Sequence, residues 1–275
     1  MSDQILPDVI VIGAMKAGTT SLYEHMSRHG QIGVSAEKET DFFVVGKNWS
    51  RGLDWYHSQF RPGSEIYAEA SPNYTKRNIF AGVPERIAET IPDCKFIFLT
   101  RDPVRRAESE YRHIALSGTP TPDVRDLPKS QILRHLIDNS SYAAQLDPYL
   151  TLFPRENFLI LEFEALVQNP RAVLSSVAGF LGVRDEWSDA EEIASNSAES
   201  LARLPPWVFA LRETRLASAL KRRLSRDAIS QLKSLVSKGR AARRTEPLPR
   251  EIKEMIAAAL TEDQIRLTKI LNQAP

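Results

Sequence analysis

The hydrophobic pattern falls into short unbroken apolar runs separated by amphipathic stretches. Val9-Ile10-Val11-Ile12, Lys95 to Thr100 and Phe158-Leu159-Ile160-Leu161 are β-branched or aromatic runs without polar alternation. Such runs predict strands buried on both faces. Ile66-Tyr67-Ala68 predicts a weaker strand. Between them, Thr20–Arg28 places Leu22, Tyr23 and Met26 at helical spacing, and Arg171–Leu181 does the same with Val173, Leu174, Val177, Phe180 and Leu181. Pro84–Thr90 and Val104–Ala115 also predict helices. Strands alternating with helices imply an α/β domain with a central parallel sheet flanked by helices. In such sheets ligands bind beyond the carboxyl ends of the strands. Ser117–Pro128, rich in Pro and Asp, is the clearest loop. After Leu181 the pattern turns helical and basic. A single domain over 1–275 is expected, its C-terminal helical part (roughly 188–275) packing on the α/β core.

Composition changes little. The 275 residues carry 36 Lys plus Arg against 35 Asp plus Glu, which gives no argument for nucleic acid or an anionic membrane. Distribution says more: Arg203 to Arg244 holds twelve basic residues and only Glu213 and Asp227 as acids. The lone Cys94 excludes an internal disulfide or a cysteine-based metal site and reads as a small buried residue. The N-terminus lacks the cationic start and apolar stretch of a signal peptide, and no window reaches the length of a membrane span. A cytoplasmic protein is expected.

The candidate chemistry lies at two strand–helix junctions. Gly13-Ala14-Met15-Lys16-Ala17-Gly18-Thr19-Thr20 is a glycine-containing loop entering a helix. Free N–H groups at such a turn attract phosphate, Thr19 and Thr20 add hydroxyls, and Lys16 adds a point charge. A nucleoside-triphosphate loop places lysine directly after the second glycine. Here Thr19 stands there and Lys16 lies three residues before it. The displaced lysine suits one 5′-phosphate plus a transferable group better than a triphosphate tail. At the second junction, Arg101 ends strand 95–100 and Pro103 opens the next helix. Ser109 follows about two helical turns later. Arg with Ser suits a second phosphate, since Arg grips phosphate oxygens bidentately. A nucleotide-dependent small-molecule kinase and a non-catalytic nucleotide-binding protein remain alternatives on these residues alone. His25 and His29 have i, i+4 spacing but no third ligand, so no metal is expected.

Taken together, the two junctions resemble the sulfotransferase superfamily that uses 3′-phosphoadenosine 5′-phosphosulfate (PAPS). Similarity is greatest to the branch holding heparan sulfate N- and 3-O-sulfotransferases and bacterial relatives. The resemblance implies the P-loop-like sulfotransferase fold, PAPS as donor and adenosine 3′,5′-bisphosphate (PAP) as product. It makes Lys16, Ala17, Gly18, Thr19 and Thr20 the 5′-phosphosulfate loop. Thr100-Arg101-Asp102-Pro103 through Ser109 resembles the 3′-phosphate motif, carried by Arg101 and Ser109. Glu37-Lys38-Glu39-Thr40-Asp41-Phe42-Phe43 resembles a segment whose glutamate is the catalytic base, so that role falls on Glu39, with Lys16 stabilising the leaving phosphate. Gly52–Tyr56 and Ala70-Ser71-Pro72-Asn73-Tyr74 fit the same branch. Ser237-Lys238-Gly239-Arg240 resembles the loop that closes over the 3′-phosphate, which assigns Lys238, Gly239 and Arg240 to the cofactor. Lys38, Asp41, Ser71 and Asn73 are candidate substrate contacts. The chain departs from the 3-O branch at Asp41, where that branch has histidine, and at Ala70, where it has lysine. Both departures remove residues that hold an anionic glycan. The implied acceptor is a hydroxyl, or less readily an amine, of a saccharide, lipid or natural product.

Overall fold

The computed structural model describes residues 4–117, 119–123, 125–188 and 246–272. Five strands form one parallel sheet: β1 (Val9–Gly13), β2 (Ile32–Val34), β3 (Ile66–Ala70), β4 (Lys95–Thr100) and β5 (Phe158–Glu162). Their spatial order is β2-β3-β1-β4-β5. Burial follows that order. Every residue of central β1 is buried, as is β4 after Lys95, while edge strands β2 and β5 are partly exposed. The apolar runs at β1 and β4 are therefore strands enclosed on both faces, whereas the run at β5, expected to be enclosed too, lies at the sheet edge with Leu159 and Ile160 half-buried.

The described helices are α1 (Thr19–Arg28), α2 (Gly52–His57), α3 (Val83–Thr90), α4 (Pro103–Leu116), α5 (Gln131–Asp138), α6 (Tyr142–Leu152), α7 (Phe163–Gln168), α8 (Pro170–Leu181) and α9 (Arg250–Asn272). The strands and helices expected between Val9 and Leu181 are all present, with ends shifted by a residue or two. β2, α2, α5, α6 and α7 are additional. Cys94 is buried and free, and Phe42 and Phe43 are core residues. No helix among the described residues is long and apolar enough to cross a membrane.

From β1 the chain moves outward to β2 and returns to β3, then crosses to β4 and β5 on the other side. The carboxyl ends of β1 and β4 therefore flank the point where the winding reverses, the crevice where doubly wound sheets bind ligands. Both candidate phosphate junctions, 13–20 and 100–103, open from these two strands.

Helix α9 packs on the core; the basic block expected to be helical, Arg203 to Arg244, lies outside the described residues. Leu267 and Ile270 of α9 join the main core, and Ile252, Ile256 and Leu260 pack with Ala107 of α4 and Leu133 and Leu136 of α5. Asp263 of α9 does a further task. The Ser141 side chain makes no cap bond at the start of α6. Asp263 accepts from the N–H groups of Ala143 (3.1 Å) and Ala144 (2.9 Å) instead. A carboxylate from a distant helix thus satisfies orphan donors of the first turn. Replacing Asp263 with Ala is expected to cost about 1–2 kcal/mol, the usual worth of an N-cap. Asp263→Asn should recover part of it, as read from denaturant midpoints at constant m.

Candidate active site

The loop after β1 is held from its carbonyl side. Ala14 N–H donates to Leu99 O (2.8 Å) at the end of β4, and Ala17 N–H bonds back to Ala14 O (3.1 Å). Two arginines near the start of α4 then take consecutive carbonyls: Arg106 Nη1 donates to Met15 O (3.4 Å) and Arg101 Nη1 to Lys16 O (3.0 Å). Lys16 adopts a left-handed backbone (φ 68°), as does Gly18 (φ 92°). A Cβ on Gly18 would stand 2.7 Å from the Phe163 ring, so both its conformation and its neighbour require glycine. Leu22 N–H bonds to Gly18 O. The helix therefore supplies no partner for the N–H groups of Thr19, Thr20 and Ser21. Ala17 and Thr19 are buried, while Lys16 and Thr20 are half-buried. Burial, partly offset by Glu110, lowers the Lys16 pKa.

Arg101 does not pair with Asp102 or Glu108. Asp102 caps α4 by accepting from Arg105 N–H (2.7 Å), and Glu108 pairs with Lys253 of α9 (2.8 Å). The Arg101 guanidinium lies 4.6 Å over the Phe163 ring, its backbone exchanges bonds with the Tyr142 hydroxyl, and its buried Nε has no partner. An unpartnered guanidinium N–H at the sheet's carboxyl edge, beside a left-handed lysine–glycine turn, fits a bisphosphate-type donor. Ser109 is half-buried on the same helix.

Arg106 was not anticipated as a functional residue. It is fully buried, with Nε on Ser140 Oγ (2.7 Å), Nη1 on Glu110 Oε2 (2.8 Å) and Nη2 on Leu136 O (2.9 Å). Asn139 Nδ2 completes the carboxylate at 2.8 Å. A buried ion pair is tolerable only with its remaining donors and acceptors satisfied, as here.

On the other side of the crevice, Lys38 pairs with Glu39 at 2.9 Å, and Glu39 is exposed. Asp41 is buried with positive φ (46°) and pairs with Lys47 rather than Lys38. Asn73 Nδ2 reaches both Asp41 oxygens (3.1 and 3.0 Å), and Asp41 N–H donates to Ser71 Oγ (3.1 Å). Asp41, Ser71 and Asn73 are thus brought together, but mainly to hold one another. Beneath them lies Glu69, fully buried, which accepts from Thr40 Oγ1. Its Oε1 has no hydrogen-bond partner among the described residues, and the Tyr74 and Tyr56 hydroxyls lie close to the carboxyl. Burial pushes the Glu69 carboxyl up to about 7 and raises Tyr56 and Tyr74 well above the usual phenol range. Glu69 sits inside β3, and an isolated acid in a strand pattern carries no sequence signal that separates it from an edge residue. Lys238, Gly239 and Arg240 lie outside the described residues. No cluster of metal-ligating side chains occurs among the described residues.

A family model described as "Sulfotransferase domain" matches residues 6–201. Curated relatives include heparan sulfate N- and 3-O-sulfotransferases. Mouse heparan sulfate glucosamine 3-O-sulfotransferase 3A1 is 33% identical over 189 residues, which is 65% of this chain and 46% of that protein. The chain spans about half or less of the curated relatives it matches most strongly. Among solved structures, a sulfotransferase from Alicyclobacillus acidocaldarius superposes with TM-score 0.69 at 23% identity, covering 98% of each chain. Mouse sulfotransferase SULT7A1, solved with PAP, superposes with TM-score 0.52 at 15% identity, covering 94% of this chain and 84% of its own.

The buried carboxyl generates a test. A folded-state pKa near 7 against an ordinary 4.5 means that Glu69 stabilises fully below pH 4.5, and that this contribution is lost as pH rises through 7. The Glu69→Gln variant should therefore gain stability relative to wild type between pH 5 and 8, by on the order of 3 kcal/mol at most. A difference flat in pH by chemical denaturation would show that Glu69 does not titrate there.

Proposed function

Because the chain belongs to the sulfotransferase-domain family, we propose that it transfers the sulfuryl group of PAPS to an acceptor hydroxyl. The observation that carries this reading is the pair of arginine clamps on Met15 O and Lys16 O. They turn the loop's carbonyls toward α4 and leave its N–H side and Lys16 for an anion. A solved relative of the fold holds PAP, which supports the same class of ligand. Lys16, Ala17, Gly18, Thr19 and Thr20 would hold the 5′-phosphosulfate end. Arg101 and Ser109 would hold the 3′-phosphate, joined by Lys238, Gly239 and Arg240.

PAPS, when bound, supplies a sulfuryl group whose bond to the 5′-phosphate oxygen breaks, the electron pair staying on that oxygen as sulfur bonds to the acceptor. Every other part of the reaction falls to the chain. Lys16 offsets the negative charge that grows on the 5′-phosphate oxygen, an electrostatic role suited to a fixed, half-buried ammonium. Glu39, exposed at the mouth beside Lys38, takes the proton of the acceptor hydroxyl. Lys38 orients that carboxylate at 2.9 Å. Asp41, Ser71 and Asn73 shape the wall against which the acceptor rests. The acceptor is a small-molecule or glycan hydroxyl of the saccharide, lipid or natural-product kind.

PAP at about 100 times its Kd should raise the melting temperature by roughly 5–10 °C, with a smaller shift from ATP and magnesium. A shift from MgATP without one from PAP would return the chain to the kinase reading. Arg101→Ala should weaken PAP roughly 10- to 100-fold, as expected for a lost charge-assisted contact, and unchanged affinity would refute the 3′-phosphate role. With an acceptor in hand, Glu39→Gln should lower kcat by roughly 10²–10⁴ while leaving the PAP shift intact. Full turnover in that variant would remove Glu39 as the base.

A further inference from the structure

Glu69 is a fully buried carboxyl in β3 to which the chemistry above gives no task. What it touches is the residue next to the base. Thr40, equally buried, donates its hydroxyl to Glu69 Oε2. A threonine hydroxyl has one proton to give. With that proton on Glu69, the 3.3 Å contact between Thr40 Oγ1 and the Tyr74 hydroxyl is donated by Tyr74. Phe42 N–H donates to Thr40 Oγ1 at 3.3 Å, and Phe43 N–H donates to the Tyr74 hydroxyl at 3.4 Å. The bonds therefore run one way, from two buried amides through two hydroxyls to a single carboxyl. Such a chain needs an end group that accepts without donating, which an ionised carboxylate does.

The same stretch of backbone is held on either side of that hydroxyl. Asn48 Nδ2 donates to Thr40 O at 2.7 Å, and Asp41 N–H donates to Ser71 Oγ at 3.1 Å. Asp41 has positive φ, a backbone that few residues other than glycine adopt. Glu39 directly precedes this fixed stretch. Its own carboxylate meets Lys38 at the surface, where an ion pair by itself fixes a side chain weakly. The direction in which Glu39 leaves the wall is thus governed by the backbone at Thr40 and Asp41.

The titratable groups that act on Glu69, or on which it acts, come from every element around it. They are Asp41 of the base segment, Tyr56 of α2, Tyr74 of the 3-10 turn, Cys94 before β4 and Tyr149 of α6. None of these is a cation. Burial accordingly brings the carboxyl up to about 7, below which it carries a proton of its own. That proton adds a donor at the one place where the chain needs only an acceptor.

We propose that Glu69 is a positioning residue for Glu39, acting through the Thr40 hydroxyl to set the backbone from which the base projects. It rests on the sulfotransferase reading, in which Glu39 is the base, and it concerns the acceptor half of the site alone. The donor loop and Arg101 lie outside this chain of bonds, so PAP binding reports on them separately.

Carboxyl-carbon NMR of protein isotope-labelled at its glutamates, beside PAP titration calorimetry, tests this. Glu39→Gln and Glu69→Gln identify the two signals by their loss. Beyond its own titration, the wild-type Glu39 signal should move a second time as pH passes through about 7. That second step should vanish in Glu69→Gln and in Thr40→Val, and return in Thr40→Ser, which keeps the hydroxyl. PAP affinity should stay within about twofold of wild type in all three, as for independent sites. A Glu39 signal without a second step would overturn the proposal. So would a second step that survives Thr40→Val, since the charge would then act through space. A fall of about tenfold or more in PAP affinity in Glu69→Gln would overturn it as well, because Glu69 would then support the whole site. If Thr40→Val does not fold, Thr40→Cys weakens the same donor at similar size, and an undiminished second step there would count against the link. A wild type that shows the second step but binds no PAP would overturn the donor reading and leave the link from Glu69 to Glu39 standing.

Discussion

Two guanidinium groups hold two consecutive carbonyls, and the course of the loop after β1 depends on that arrangement. Arg106 takes Met15 O and Arg101 takes Lys16 O. A peptide chain whose carbonyls are turned one way presents its N–H groups the other way, so the loop's donor face is a consequence of what grips its back. The grip is rigid because Arg106 is itself immobilised by Glu110, Ser140 and Leu136 O in a site without solvent. Removing one partner of such a pair typically costs about 3–5 kcal/mol. The loop and α4 are therefore one mechanical unit, although they are 85 residues apart at Arg101 and Lys16.

The opposite wall is organised by a different principle. Glu69, a carboxyl that burial pushes up to about 7, lies at its base with Thr40, Tyr56 and Tyr74 around it. Aromatic packing of Phe42 on Tyr56, with ring centroids 4.2 Å apart, continues that base outward. Above it the charges are paired side by side, Lys38 with Glu39 and Lys47 with Asp41. The wall thus grades from a buried hydroxyl-and-carboxyl interior to a lip of paired charges within a few residues, and it ends at the exposed Glu39.

What the sequence disclosed follows from where each element sits. β1 and β4 are enclosed on both faces, and enclosure writes itself as an unbroken apolar run. β2 is a three-residue edge strand containing Gly33, and too short to show a period. Helix α6 contains Pro148 and is buried along most of its first half, so it lacks the polar stripe that marks a helix. The same distinction governs the site. Lys16, Arg101 and Glu39 were singled out because they stand in motifs with fixed spacing. Arg106 lies within such a motif, yet nothing in a run of two arginines says which one is buried. Glu69 owes its character to what folds over it, and that information is not local.

The remote cap on α6 bears on the order in which the molecule can be made. Tyr142, the first residue of α6, exchanges hydrogen bonds with the backbone of Arg101. The next two residues wait for Asp263, 120 and 119 positions further along the chain. During synthesis the sheet, the donor loop and α4 are all complete well before that carboxylate leaves the ribosome. Until it arrives, α6 begins with uncapped N–H groups and the anchor behind Arg101 is loose. Full capping of α6, the helix whose Tyr142 holds the Arg101 backbone, is therefore timed by a carboxylate 120 and 119 positions further along the chain.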